Sequence, residues 1–193
     1  MQLPQLEDLG DLKGKRVLVR SDLNVPLVDG QITDDFRIQQ AVPTWKWLVE
    51  HGATVTVCSH LGRPKGEPNP KYSMAPVRSR AQQLVPGIEV LENLRYNPGE
   101  EGNDPSFVQE LIAGQDFYVD DAFGAAHRAH ASIVGPPQLL PSAAGRLLTN
   151  EINYLGQLLE NPPRPFLAII GGAKVSDKIG VIDALLAKVD TMI

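Results

Sequence analysis

The sequence predicts an open α/β fold, a mainly parallel Rossmann-like sheet with helices on both faces. Three observations predict it. Short apolar, β-branched runs alternate with longer amphipathic runs along the chain. The apolar runs open into polar loops that carry arginine or histidine: R-V-L-V-R-S-D-L-N-V-P, T-V-T-V-C-S-H-L-G-R-P, E-V-L-E-N-L-R-Y and F-Y-V-D-D-A-F-G-A-A-H-R. At 193 residues the chain is long enough for one large domain, or one domain and part of another.

Arg16 to Arg20 reads as the first strand, followed by a turn through Asn24, Pro26 and Asp29-Gly30. Thr33-Asp34-Asp35 reads as a helix start, a hydroxyl cap followed by carboxylates that the helix dipole favours. Ile38, Ala41, Val42, Trp45, Leu48 and Val49 follow at helical spacing, Gly52 ends the run, and Pro43 within it predicts a kink. Thr54 to Cys58 is a buried strand and Pro64 to Pro70 a proline-rich loop. A helix starts near Ser73 and stops before Pro86-Gly87, and a strand follows at Ile88 to Leu91. Asp104-Pro105 opens a helix that Gly114 closes, and Asp116 to Asp120 is strand. Ala122 to Pro141 reads as a long loop, and Ser142 to Leu159 as the longest helical pattern. Asn161-Pro162-Pro163-Arg164-Pro165 is the clearest linker and divides a domain of residues 1–160 from residues 161–193. Beyond it come a strand at Phe166 to Ile170, a glycine turn and a helix from Ser176 to Val189. Asp190 to Ile193 reads as the entry to a further buried strand, so the second lobe is expected to be truncated.

Composition narrows the function classes. A net charge of −5 and a pI near 5.3 argue against nucleic acid or an anionic membrane as partner. No apolar run approaches the ~20 residues a spanning helix needs. Cys58 is the single cysteine, so no intrachain disulfide forms, and with no cationic leader segment the expected compartment is the cytoplasm.

Against that acidic background, Arg20, Arg63, Arg95 and Arg128 stand out. In a parallel sheet all strand carboxyl ends point one way, and ligands bind in the crevice outside them. Guanidiniums converging there make a focused cationic pocket, which suits a small multiply charged anion such as a phosphate. Arg37 lies near the start of the helix after the first of these loops. A second feature is Ile169 to Lys178, where a strand feeds Gly171-Gly172 into a helix, with Lys174 and Lys178 one helical turn apart. A glycine turn at a helix N-terminus is a place to hold a nucleotide phosphate. The run Gly10 to Arg16 is superficially similar to a phosphate-binding loop, but it lacks the Ser/Thr and precedes a strand. His127, His130, Cys58 and His60 fit no zinc spacing, so no protein-held metal is expected. Asp120-Asp121, at a strand end, is a candidate functional carboxylate pair.

Six ordered segments resemble the phosphoglycerate kinase family. They are V-R-S-D-L-N-V-P (19–26), I-T-D-D-F-R-I (32–38), S-H-L-G-R-P-K-G (59–66), L-E-N-L-R-Y (91–96), D-A-F-G-A-A-H-R-A-H-A-S (121–132) and G-G-A-K-V-S-D-K-I (171–179). The resemblance implies reversible phosphoryl transfer between 1,3-bisphosphoglycerate and ADP, giving 3-phosphoglycerate and MgATP, in a cytoplasmic, monomeric glycolytic kinase. It implies an N-terminal lobe for the phosphoglycerate and a C-terminal lobe for the nucleotide, with Mg2+ arriving on the nucleotide. Carried over residue by residue, Asp22 and Asn24 would contact the glycerate hydroxyl and carboxyl end. Arg20, Arg37, His60, Leu61, Gly62, Arg63, Arg95 and Arg128 would line the anion site, with His127 in support. Gly171, Gly172 and Lys178 would meet the nucleotide, and Arg37 and Lys174 the phosphoryl group in transit.

Two departures from the family pattern are visible. The family has a second lobe of comparable size, which this chain barely enters. The family also has a longer segment before L-E-N-L-R, where Val85 to Val90 here makes the connection almost directly. That is expected to shorten or delete a strand–helix crossover. The alternative function is a non-catalytic module that binds 3-phosphoglycerate without nucleotide. A nicotinamide enzyme is disfavoured, since no G-x-G-x-x-G follows any strand.

Overall fold

The computed structural model describes residues 3–172 and 178–193. They form two compact units, residues 1–149 and 150–193.

The first unit is built on a five-stranded sheet of β1 (Arg16–Ser21), β4 (Thr54–Cys58), β5 (Glu89–Val90), β6 (Phe117–Asp121) and β7 (Ser142–Ala144). The strand order is β5-β4-β1-β6-β7 and every pairing is parallel. The chain builds outward from β1 in one direction and then, from β6, in the other. The order therefore reverses between β1 and β6, where open α/β sheets form their ligand crevice.

Both faces of the sheet are covered, which explains why its strands read as continuous apolar runs. On one face Val17, Val19, Val55, Val57 and Val119 share a core with Ile38, Trp45 and Leu48 of α1 (Phe36–Glu50) and Val77 and Ala81 of α2 (Ala75–Leu84). On the other, Leu18, Cys58 and Tyr118 pack with Phe107, Val108 and Leu111 of α4 (Pro105–Ile112). Between β1 and α1 lies a two-stranded hairpin, β2 (Leu27–Val28) and β3 (Gln31–Ile32). Its turn residues Asp29 and Gly30 both take positive φ, as a tight two-residue hairpin loop requires.

Several boundaries differ from the sequence reading. The helix expected from Thr33 begins at Phe36, whose N–H donates to the Asp34 carboxylate at 2.8 Å, while Thr33 Oγ1 turns back to the Pro26 carbonyl. Pro43 sits inside α1 without interrupting it. The expected long loop contains the single-turn helices α5 (Phe123–Ala126) and α6 (Ala131–Val134), and a further single turn, α3 (Gly99–Gly102), precedes α4. Ser142 to Ala144 is strand, so the long helix α7 (Arg146–Glu160) starts four residues later than expected. Gly145 makes that corner: a Cβ there would lie 2.2 Å from Asp121 Oδ1, which accepts the Leu147 and Leu148 N–H groups of the first helical turn. The short connection at residues 85–88 leaves a complete crossover, because α2 carries the chain from β4 to β5.

The second unit begins within α7, at Asn150, and contains a βαβ arrangement of β8 (Leu167–Ala168), α8 (Ile179–Leu186) and β9 (Thr191–Met192). β8 and β9 pair in parallel. Ile169, Ile179, Val181, Leu186 and Ile193 are exposed. No helix among the described residues is long and apolar enough to cross a membrane.

Candidate anion-binding site

Except for Arg37, in the first turn of α1, the sequence-predicted residues of the first unit come from the carboxyl ends of four strands and the segments that follow them. Arg20 is the penultimate residue of β1, and Asp22 and Asn24 follow the strand. His60 to Arg63 follow β4. Arg95 lies in the short helical turn Leu94–Tyr96 after β5, and His127 and Arg128 follow α5, which itself follows β6.

Side-chain amides lock these loops together. Asn24 Oδ1 accepts the Gly62 N–H at 2.8 Å. Asn93 Oδ1 accepts the N–H groups of Leu61 and Arg95, and its Nδ2 donates to the carbonyls of Leu61 and Tyr72. Leu61 is a pin: its side chain is buried in the core, and its backbone groups are spent on Asn93. Gly62 takes φ +60° and lies so close to Tyr72 that a Cβ would meet the ring at 2.4 Å.

Arg20, Arg95, Arg128 and His60 are brought together. Arg20 is only 1% exposed; it donates through Nε to Ser132 Oγ at 2.9 Å and through Nη2 to His60 Nδ1 at 3.0 Å. Burial pushes the His60 imidazole down to about 2, reinforced by Arg20, Arg95, Arg128 and His130, so the ring is neutral. Arg95 donates through Nη1 to the Gly62 carbonyl at 2.8 Å. Its Nε lies 3.1 Å from Glu101 Oε1, yet makes no hydrogen bond to it and has no other partner. Burial weighs against the Arg95 charge, Glu101 supports it, and Arg128 and Arg20 weigh against it again. A buried guanidinium with a donor that makes no hydrogen bond, crowded by like charges, is a place where a further anion stabilises the arrangement.

Arg37 is exposed and paired with Asp22. Asp22 also lies against α5, where a Cβ on Gly124 would fall 2.8 Å from Asp22 Oδ2. Arg63 and His127 are exposed. A cleft of about 350 Å3, lined by Asn24, Leu61, Gly62, Lys71 and Tyr72 among others, borders the site. A larger cleft of about 640 Å3, between β5, the turn after it and α4, is lined by none of these arginines.

The acidic candidates have structural roles. Asp120 is in register with Arg20 on the neighbouring strand and accepts the Ala122 N–H at 2.9 Å. Asp121 is fully buried at the start of α7, and burial pushes its carboxyl up to about 7. Among the described residues no group of three or more His, Cys, Asp or Glu side chains could hold a metal ion.

In the second unit, Gly171 and Gly172 are exposed, and a Cβ on Gly172 would lie 2.3 Å from the Lys178 ammonium. Lys174 lies outside the described residues.

Five residues that hold the arginines were not legible in the sequence: Ser21, Ser59, Glu100, Glu101 and Ser132. Ser132 lies inside a recognised segment and Ser59 begins one, but neither glutamate carried a signal beyond its nearness to L-E-N-L-R-Y.

The phosphoglycerate kinase family profile matches residues 6–90 and 86–193. The chain belongs to the phosphoglycerate kinase family. The phosphoglycerate kinase of Rubrobacter xylanophilus is 50% identical to it, over 95% of this chain and 53% of the relative. That of Leifsonia xyli is 46% identical, over 100% of this chain and 55% of the relative. Among solved structures, the phosphoglycerate kinase of Coxiella burnetii superposes with a TM-score of 0.90 at 37% identity, over 99% of this chain and 54% of that one. The Pyrococcus horikoshii phosphoglycerate kinase gives 0.88 at 28% identity, over 98% and 54%. The chain thus spans about half the length of the relatives it matches. The two profile segments meet at residues 86–90, on the short connection before β5, and the Leifsonia alignment runs over 221 positions against 193 residues here. The Leifsonia relative therefore carries residues with no counterpart here, while α2 still completes the crossover from β4 to β5.

Proposed function

We propose that this protein acts as a phosphoglycerate kinase, transferring a phosphoryl group reversibly between 1,3-bisphosphoglycerate and ADP, and that its first unit is the phosphoglycerate side of that reaction. The observation that carries the reading is the convergence of Arg20, Arg95 and Arg128 on a neutral, buried His60, with Arg95 Nε–H beside Glu101 but making no hydrogen bond. A small polyanion supplies acceptors and negative charge beyond what Glu100 and Glu101 give this cluster.

Phosphoryl transfer of this type needs no protein nucleophile. The substrate carboxylate attacks in the ATP-consuming direction, and the protein contributes positioning and neutralises charge on the transferring oxygens. Arg20, Arg37, His60, Arg63, Arg95 and Arg128 line the phosphoglycerate site, while Asp22 and Asn24 address its hydroxyl and carboxyl end. Arg37 and Lys174 act on the group in transit, and Gly171, Gly172 and Lys178 receive the nucleotide. Transfer requires the two lobes to close, which expels water and aligns donor with acceptor. The 161–165 linker and α7 before it are the natural hinge. Mg2+ arrives on the nucleotide phosphates in this reading, and no protein side chain is assigned to it. The protein works as a cytoplasmic monomer.

Phosphorus NMR tests the proposal. The resonance of 3-phosphoglycerate is expected to broaden and shift saturably as the chain is added. A resonance that stays unchanged at millimolar ligand, with the chain folded, overturns the reading. Adding MgATP to the same sample then separates binding alone from transfer, through the appearance of ADP.

A further inference from the structure

Beneath the arginines runs a directed chain of hydrogen bonds. A guanidinium has donors and no acceptor, so every contact Arg20 makes fixes the direction of the bond. Arg20 Nε donates to Ser132 Oγ at 2.9 Å. That hydroxyl directs its own proton to Glu100 Oε1 at 2.7 Å, and the Ser132 backbone N–H goes to Glu100 Oε2 at 3.0 Å. On its other side, Arg20 Nη2 donates to His60 Nδ1 at 3.0 Å. His60 Nδ1 is therefore the acceptor, and in a neutral ring the proton sits on Nε2. The remaining contacts hold the parts still: Arg20 Nη1 donates to the Ser21 carbonyl, and Tyr118 Oη donates to the Ser132 carbonyl at 2.7 Å.

We propose that Glu100 is a positioning residue of the phosphoglycerate site: acting through Ser132 and Arg20, it holds His60 as the Nε2–H tautomer, so that the ring offers a hydrogen-bond donor to the bound anion. The proposal rests on the reading above that this cluster binds phosphoglycerate. Glu100 is fully buried, with His130 Nδ1 3.7 Å from Oε1. A buried carboxylate there answers a guanidinium that is itself removed from water. Without it, the Ser132 proton is free to turn toward Arg20, the guanidinium loses its fixed orientation, and Nδ1 loses its donor. The ring is then able to take its other tautomer, which leaves a lone pair on Nε2 and repels an anion.

Nitrogen-15 NMR of the chain's four histidines, with His60 assigned by a His60→Asn variant, reads the tautomer directly. In the native chain His60 is expected to be protonated at Nε2 alone and not to titrate between about pH 5 and 8. Glu100→Gln and Ser132→Ala are each expected to give a mixture of tautomers and roughly tenfold weaker 3-phosphoglycerate binding. If Glu100→Gln does not fold, Ser132→Ala breaks the same link with a smaller change in volume and reads the same two quantities. A native His60 protonated at Nδ1, or folded variants with tautomer and affinity unchanged, overturns the relay. A native chain that shows the Nε2–H tautomer but does not bind 3-phosphoglycerate overturns the phosphoglycerate reading instead.

Discussion

Arg37 and Asp22 are paired to each other, with Arg37 half exposed at 51% and Asp22 largely covered at 13%. Both belong to the segments shared with phosphoglycerate kinases, and both are assigned to the substrate. An ion pair whose cationic partner is half exposed contributes little to stability. Arg37→Ala is therefore expected to change unfolding free energy by less than about 0.5 kcal/mol, while the proposed phosphoryl transfer slows roughly 10²–10³-fold. Thermal melts and a coupled assay check both halves. A variant that unfolds, or that turns over normally, removes Arg37 from its assigned role.

Asp121 makes stability depend on pH in an unusual direction. Its folded-state pKa is raised to about 7, above the ordinary carboxylate range, chiefly by burial. Between about pH 4 and 7 the folded state then binds more protons than the unfolded one, so this residue's contribution falls as pH rises and levels off above about 7. Asp121→Asn keeps an oxygen for the Leu147 and Leu148 N–H groups and removes the titration. Urea unfolding from pH 5 to 8 is expected to show a downward slope in the native chain relative to the variant. Parallel profiles contradict the assignment.

Gly62 lies on the connection between core and site. A side chain there meets the Tyr72 ring at 2.4 Å and strains a backbone at φ +60°, next to the carbonyl that Arg95 uses. Gly62→Ala is expected to cost about 1–3 kcal/mol in urea unfolding and to weaken 3-phosphoglycerate binding. Gly87, at φ +88° with open space around it, is the control. Its alanine variant carries the backbone strain without the collision, and equal effects at the two positions refute the steric argument.

Cys58 is a core residue. It is wholly buried, and burial pushes its thiol up to about 12. Thiol reagents at pH 8 are expected to leave it unmodified in the folded chain and to label it once urea unfolds the protein. Rapid labelling without denaturant shows that the sheet opens around β4.

The strands of the first unit were legible because burial on both faces wrote them as uninterrupted runs such as Val17-Leu18-Val19, bounded by turn residues. Arg20, His60, Arg95 and Arg128 were legible because parallel topology sends every strand end to the same edge. β7 was not legible: its three small residues fit a helical period as well as an extended one, and only pairing with Tyr118 to Asp120 decides. Glu100 was hidden for another reason. Its partner Ser132 lies 32 residues away, and a buried carboxylate in a single helical turn has no local pattern that distinguishes it from the exposed Glu101 beside it. The Ser21, Ser59 and Ser132 groups that aim Arg20 belong to the same class, legible only once the strands are aligned.

The most direct test of the account is a calorimetric titration of 3-phosphoglycerate into this chain, with sulfate as the control anion and Arg37→Ala as the comparison. Saturable, one-to-one binding of 3-phosphoglycerate is expected, with weaker binding of sulfate and a marked loss of affinity in the variant. A folded chain that takes up neither anion, or binds both alike and equally well without Arg37, contradicts it.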